Sequence, residues 1–447
     1  MKRYFFILLL PALVLLASCH KDDPSMPDAP NHYGRTVMMY MAMQNSLGSS
    51  KYHQADSAEI VQAMEYIPKN DRMLLFIDDA KKPRLYELSQ ELAQKDPRTG
   101  MPFGPKLIKE WSQDISSASA ATVTEVLEYM RKNYDSDSYG LIMGSHATGW
   151  LPADFSTSSN NSNRRKTFGI DVGPDGVMAN DKGVAGSVAD QIEIDDLASA
   201  IMKSGVKLDF LLFDACLMQN IEVDYALRSV TDYIIASPIS ISAEGAYYTD
   251  LVRSGLFTAD VADVARVYVS YYQGKGSIPY TDGYGTVISC VRTEALERFA
   301  TLMRSMLHDV TMKMGNGETD MVEVLKRADM SQTFYYQAYA KNYYYRPHNY
   351  DIISVMNALG VDAIQMRELR MALSELVPFR GATESYWIGP GYYTMQTMPA
   401  NPDDWCGVSM FVPQEIYTRN ASVCNFGDLN EAFKQTQWYK TVFGTSL

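Results

Sequence analysis

Two short stretches put residues capable of nucleophilic chemistry at the ends of apolar runs. In residues 208–220 the run Phe210-Leu211-Leu212-Phe213 stops at Asp214-Ala215-Cys216. Such a run reads as a strand buried on both faces. Ile221, Val223, Tyr225, Ala226 and Leu227 then follow in a helical pattern. In open α/β sheets, sites form where parallel strands give way to helices. Asp214 and Cys216 are two positions apart, so an extended backbone points both the same way. A free Cys is most often buried and inert, and this stretch alone does not separate the two fates.

The second stretch, residues 139–150, repeats the arrangement. Leu141-Ile142-Met143 runs into Gly144-Ser145-His146-Ala147-Thr148-Gly149-Trp150. Gly144, Ser145, Ala147 and Gly149 leave room for another molecule near the backbone. Histidine is the usual general base for a thiol near neutral pH. A His and a Cys at the ends of two such strands are brought together by the fold itself.

With both stretches in view, the chain resembles the clostripain family of cysteine peptidases, which share the caspase–gingipain fold. That family carries His-Gly-x-Gly-Trp after one strand and Asp-Ala-Cys-Leu-Met after the next. Here the second motif is intact at Asp214–Met218, and the first has Ala147 in place of Gly. Thr36–Ala42, followed by Asn45-Ser46-Leu47, looks like the family's first core strand, and Cys406–Pro413 like its late strand. The resemblance spans about residues 35–440. It implies a Cys–His dyad of Cys216 and His146, with no third side chain required. It implies an oxyanion held by the backbone N–H groups of Ala147 and Cys216. If the family's Gly sits at positive φ, the Cβ of Ala147 costs on the order of 1 kcal/mol there. Asp214 corresponds to the residue that floors the first specificity pocket and meets Arg or Lys of the substrate. Asp is also a strong helix N-cap, which is the structural alternative for Asp214. Glu244, in Glu244-Gly245-Ala246, corresponds to an acidic pocket-lining segment and is a secondary substrate-binding candidate, the alternative being a solvated loop carboxylate. No cofactor is required; calcium use varies among relatives, so calcium is possible, although no Asp-rich loop of the EF-hand type is present.

The elements that position these residues alternate. Strand patterns at 36–42, 72–78 and 141–143 are interleaved with helical patterns at 53–66 and 122–134. Residues 83–111 read as a hairpin-like excursion. A Ser-, Asn- and Gly-rich insertion at 152–190 interrupts the series, which resumes with a helix at 193–204, the Cys216 strand and a strand at 232–237. This βαβ alternation predicts an α/β, caspase-like three-layer sandwich with a mainly parallel sheet. After about residue 292, helical stretches alternate with Tyr-rich loops such as 334–346, and late strands follow at 384–396 and 406–412. The predicted organisation is a signal peptide (1–18), a tether (19–34), a peptidase core (35–291) and a C-terminal, mostly helical subdomain (292–447).

The N-terminus reads as a targeting segment. Lys2 and Arg3 precede the apolar stretch from Phe5 to Leu16, too short for an ordinary spanning helix. Leu16-Ala17-Ser18-Cys19 has the form of a bacterial lipoprotein box, which makes Cys19 the expected lipidation site. The expectation is an outer-membrane lipoprotein of a Gram-negative bacterium, facing the periplasm or the medium and monomeric. A net charge of −13 gives no basic balance of the kind that binds nucleic acid. The five Cys and six His show no metal-ligand spacing, so no metal site is expected. Cys406 and Cys424 are candidates for a disulfide in an oxidising compartment.

Arg164-Arg165-Lys166 stands inside the insertion, three basic residues in an acidic chain. Exposed polar loops concentrate nicking, and a peptidase selective for Arg or Lys would find a substrate there. These three are the candidate self-cleavage sites. Two other classes share the sequence features: a caspase-fold lipoprotein that binds peptides or glycans without cutting them, and an acyl transferase or ligase using the same dyad.

Overall fold

The computed structural model describes residues 32–79, 82–151, 168–171, 190–274, 285–341, 344–388, 395–418 and 429–444. Cys19, residues 164–166 and Cys424 lie outside them. The strands in chain order are β1 Tyr33–Ala42, β2 Arg72–Asp78, β3 Arg84–Leu88, β4 Lys106–Glu110, β5 Ser136–Gly144, β6 Phe168–Asp171, β7 Asp190–Ile192, β8 Leu208–Asp214, β9 Thr231–Ala236 and β10 Val287–Arg292. They continue with β11 Tyr335–Lys341, β12 Tyr344–Asp351, β13 Phe379–Ala382, β14 Ser385–Trp387, β15 Met395–Thr397 and β16 Ser409–Met410. The helices used below are α1 Ser46–Ser49, α2 Tyr52–Gln62, α3 Ala120–Asn133, α4 Ile194–Ser204, α5 Ile221–Leu227, α6 Tyr248–Ser254, α7 Ala262–Gly274 and α8 Leu296–Met314.

Nine strands form one sheet in the order β13-β10-β9-β8-β5-β1-β2-β3-β4. The middle five, β9-β8-β5-β1-β2, are parallel, and antiparallel strands flank them on both sides. Strand order reverses between β1 and β5, the place where an α/β sheet opens a crevice at its carboxyl edge. Alternation along each strand separates two cores. Met38, Tyr40, Leu211 and Phe213 face one layer, which includes α3, α4 and α8. Val37, Met39, Phe210 and Leu212 face the other, which includes α6 and α7. The runs look uniformly apolar in sequence because both faces are covered.

The structure departs from the sequence expectations in several places. The 152–190 insertion contains β6, which pairs with β7 at its far end. The Tyr-rich segment expected as a loop is the antiparallel hairpin β11–β12, as the strand preference of aromatic residues allows. The late strand expected over 384–396 is instead two short strands, β14 and β15. Beyond residue 291 the chain still contributes to the main sheet, since β13 pairs with β10. Leu296, Phe299 and Met303 of α8 lie in the same core as Leu211 and Phe213. Among the described residues no helix is long and apolar enough to cross a membrane.

Candidate active site

Gly144 at the end of β5 is in register with Asp214 at the end of β8. His146 and Cys216 each lie two residues beyond that pair, on adjacent strands. Both side chains are partly exposed, at the carboxyl edge of the sheet. The end of β1 supplies a third component. Asn45 caps α1 by accepting from the Leu47 N–H at 2.9 Å, and its amide donates to the carbonyls of Ala42 and Ile170, each at 2.9 Å. That fixes Ser46, whose Oγ lies 2.8 Å from His146 Nε2. The His146 carbonyl accepts from the Gly169 N–H at 2.9 Å, so β6 braces the histidine from the insertion side.

The turn after β8 is backbone-strained. Leu217 has φ +63°, in the left-handed region a branched residue rarely enters. Its N–H donates to Ile239 O at 2.9 Å, and the Gln219 N–H donates to Ser237 O at 3.0 Å. Asn220 Nδ2 donates to the Leu217 carbonyl. These bonds hold Cys216 in place at a cost of the order of 1–3 kcal/mol for the strained residue. The two motif loops also touch directly. Gly149 has φ +69°, and a Cβ there would lie 2.5 Å from Leu217 O. Glycine is therefore needed at the fourth position of His146–Trp150. Ala147 is not among the left-handed residues, so its methyl carries no strain and the cost considered from sequence does not arise.

Burial is the largest influence on the Cys216 thiol and pushes it above its ordinary range, with the Asp214 charge adding to it. A cation must be brought to bear before this sulfur ionises.

Asp214 lies on the same strand face as Phe210 and Leu212, toward α6 and α7. Tyr248 Oη donates to its Oδ2 at 2.6 Å, Tyr268 Oη to its Oδ1 at 2.9 Å, and the Ala246 N–H to Oδ2 at 3.1 Å. Its carboxyl is nevertheless held above the usual range, burial outweighing these donors. Gly245 has φ +61°, and a Cβ on it would lie 2.4 Å from Asp214 Oδ2. The N-cap of α5 is Asn220, so the capping alternative for Asp214 does not hold. Glu244, next to Gly245, is exposed, and its charge acts on Tyr272.

Ser46, Tyr248, Tyr268 and the buried Asp56 are additions to the residues read from sequence. Asn45-Ser46 was visible as a motif fragment without a role. Asp56 carried a usable signal: it is four residues before Ile60 on one helical face, and the buried stripe of α2 is His53, Asp56 and Ile60. Among the described residues no group of three His, Cys, Asp or Glu side chains is arranged to hold a metal ion. Cys406 carries a free thiol that donates to Val408 O at 3.3 Å.

The family model described as the clostripain family matches residues 39–370. The structure of an inactive zymogen C11 protease from Parabacteroides distasonis is 26% identical, with a TM-score of 0.69, over 93% of this chain and 99% of that one. A secreted C11 cysteine protease from Bacteroides thetaiotaomicron, solved with an irreversible peptide inhibitor, is 24% identical, with a TM-score of 0.68, over 92% of this chain and 98% of that one. The second likeness is one of fold. No curated protein matches the chain.

Proposed function

Because the chain belongs to the clostripain family, and so to the cysteine peptidases, we propose that it is a lipid-anchored endopeptidase that cuts after Arg and Lys through Cys216 and His146. The observation that carries this reading is the registered pair Gly144–Asp214, which sets a thiol, an imidazole and a carboxylate at one sheet edge.

In the proposed reaction His146 takes the Cys216 proton, and Sγ bonds to the scissile carbonyl carbon. The oxyanion lies against the backbone N–H groups of Ala147 and Cys216. His146 returns the proton to the leaving amine as the C–N bond breaks, leaving a thioester. Water, deprotonated by His146, attacks that thioester and restores the thiol. Ser46 Oγ lies against His146 Nε2 and helps to hold the imidazole in place. Asp214 binds the basic side chain before the scissile bond, and its paired oxygens suit a guanidinium best. Glu244 adds negative charge at the pocket margin. Cys19 is the lipid attachment point, anchoring the chain without a spanning helix.

The relative from Parabacteroides distasonis was solved as an inactive zymogen. By likeness, self-cleavage within Arg164-Arg165-Lys166 is the proposed activation step here. A positional-scanning peptide assay with the lipid-free protein, run with and without chelator, tests the specificity and any calcium dependence together. Preference for Arg or Lys supports the reading; preference for Asp or an apolar residue overturns it.

A further inference from the structure

Asp56 is 8% exposed, on the buried stripe of α2. Among the described residues it has neither a hydrogen-bond donor nor a cation beside it. Its helix is fastened to the pocket wall. Glu59 Oε2, one turn along α2, accepts from the Tyr248 N–H at 2.8 Å, and the Thr249 hydroxyl donates to Glu59 O at 3.2 Å. Tyr248 in turn reaches Asp214 Oδ2 at 2.6 Å. The charges of Asp214, on the sheet, and of Asp56, on α2, both act on the Tyr248 phenol.

A carboxyl buried without a partner is costly, and such groups are expected to face a ligand or to stay protonated. Burial, then the charge of Asp214, then that of Glu59 push Asp56 up to about 9. Asp214 weighs on it more than Glu59 does, although Glu59 is only one helical turn away. A nearby like charge disfavours a second ionisation. Asp214 has three donors that favour its charged form; Asp56 has none.

We propose that Asp56 is a second specificity-determining carboxylate of the pocket floored by Asp214, meeting the cationic side chain of Arg or Lys in the substrate from the α2 side. This rests on the reading of Asp214 as that pocket's floor. When the cation enters, Asp56 releases its proton to solvent, and the pocket holds two negative charges against one positive charge. The empty pocket carries one fewer, which limits the repulsion the fold must tolerate without substrate.

The test is Asp56→Asn in the full chain, since Asn has the shape of the neutral acid. Peptides carrying Arg before the scissile bond are compared with the same peptides carrying citrulline, its uncharged isostere. Loss of a charged hydrogen-bond partner predicts a roughly 10- to 100-fold fall in kcat/KM for Arg, mainly through KM. Citrulline peptides and the rate of Cys216 alkylation by iodoacetamide should stay unchanged. In the unmodified protein KM for Arg peptides should fall as pH rises from neutrality toward about 9; Asp56→Asn should flatten that dependence. Between the ordinary carboxylate range and about 9, the folded chain holds a proton the unfolded chain lacks, so stability declines as pH rises across that window. Asp56→Asn removes the decline, and its thermal midpoint should exceed that of the unmodified protein by a margin that grows with pH. Arg selectivity that survives Asp56→Asn, or a KM that is flat with pH in the unmodified protein, overturns the inference while leaving Asp214 in place. No preference for Arg over citrulline in the unmodified protein overturns both.

Discussion

At the scale of single residues, the proposed pocket depends on an absence. A methyl at Gly245 would occupy space 2.4 Å from Asp214 Oδ2, on a backbone with φ +61°. Gly245→Ala should therefore push the carboxylate off its Tyr248 and Tyr268 donors. The left-handed backbone alone costs about 1–2 kcal/mol, read as a lowered unfolding midpoint. Activity on Arg peptides should fall further than that on citrulline peptides; equal losses on both would mean that the substitution damages the dyad rather than the pocket. The placement of Cys216, His146 and Asp214 was legible in the sequence because each follows an apolar run, and the run's end marks the sheet edge. Asp56, Tyr248 and Tyr268 were not, because each reaches the site from a different element, and only packing between layers brings them to Asp214. A carboxylate on a buried helical stripe was the one local sign of Asp56, and the neighbouring apolar residues obscured it.

At the scale of elements, the site is two loops pressed together. Gly149 and Leu217 meet backbone to backbone, and β6 of the insertion braces the His146 carbonyl. The insertion is therefore mechanically linked to the histidine. Cleavage within 164–166, as proposed above, would cut the chain just before β6, one side of that brace. Purified protein should cut itself slowly after one of Arg164, Arg165 or Lys166 and yield two associated fragments. Cys216→Ala should stay whole under the same conditions. Mass spectrometry of the fragment ends reads the outcome, and an intact, fully active wild-type chain would rule the switch out. The core strands were legible from their apolar runs. The strands β6 and β11–β12 were not: a polar insertion hides the first, and the Tyr-rich composition of the second reads equally as loop or strand.

At the scale of the whole molecule, parallel strands carry the proposed dyad at their ends and antiparallel flanks complete the sheet. β13 and α8 tie the C-terminal part to the core, β13 by pairing with β10 and α8 by sharing an apolar layer with Leu211 and Phe213. The proposed lipid anchor belongs to this scale as well. Cys19→Ser should release the protein from the membrane fraction or block its maturation, as fractionation and immunoblotting would show. Unchanged membrane retention would refute the lipid attachment.

The central claim is that Cys216 is a nucleophile served by a basic-residue pocket. Treating the protein with a peptide acyloxymethyl ketone bearing Arg, and in parallel with one bearing Asp, tests it directly by intact mass and peptide mapping. The account predicts a single adduct on Cys216 with the Arg reagent, little with the Asp reagent, and none in His146→Ala; Asp214→Asn should lose most of the difference between reagents. No adduct on Cys216, or equal labelling by both reagents in the unmodified protein, would contradict it.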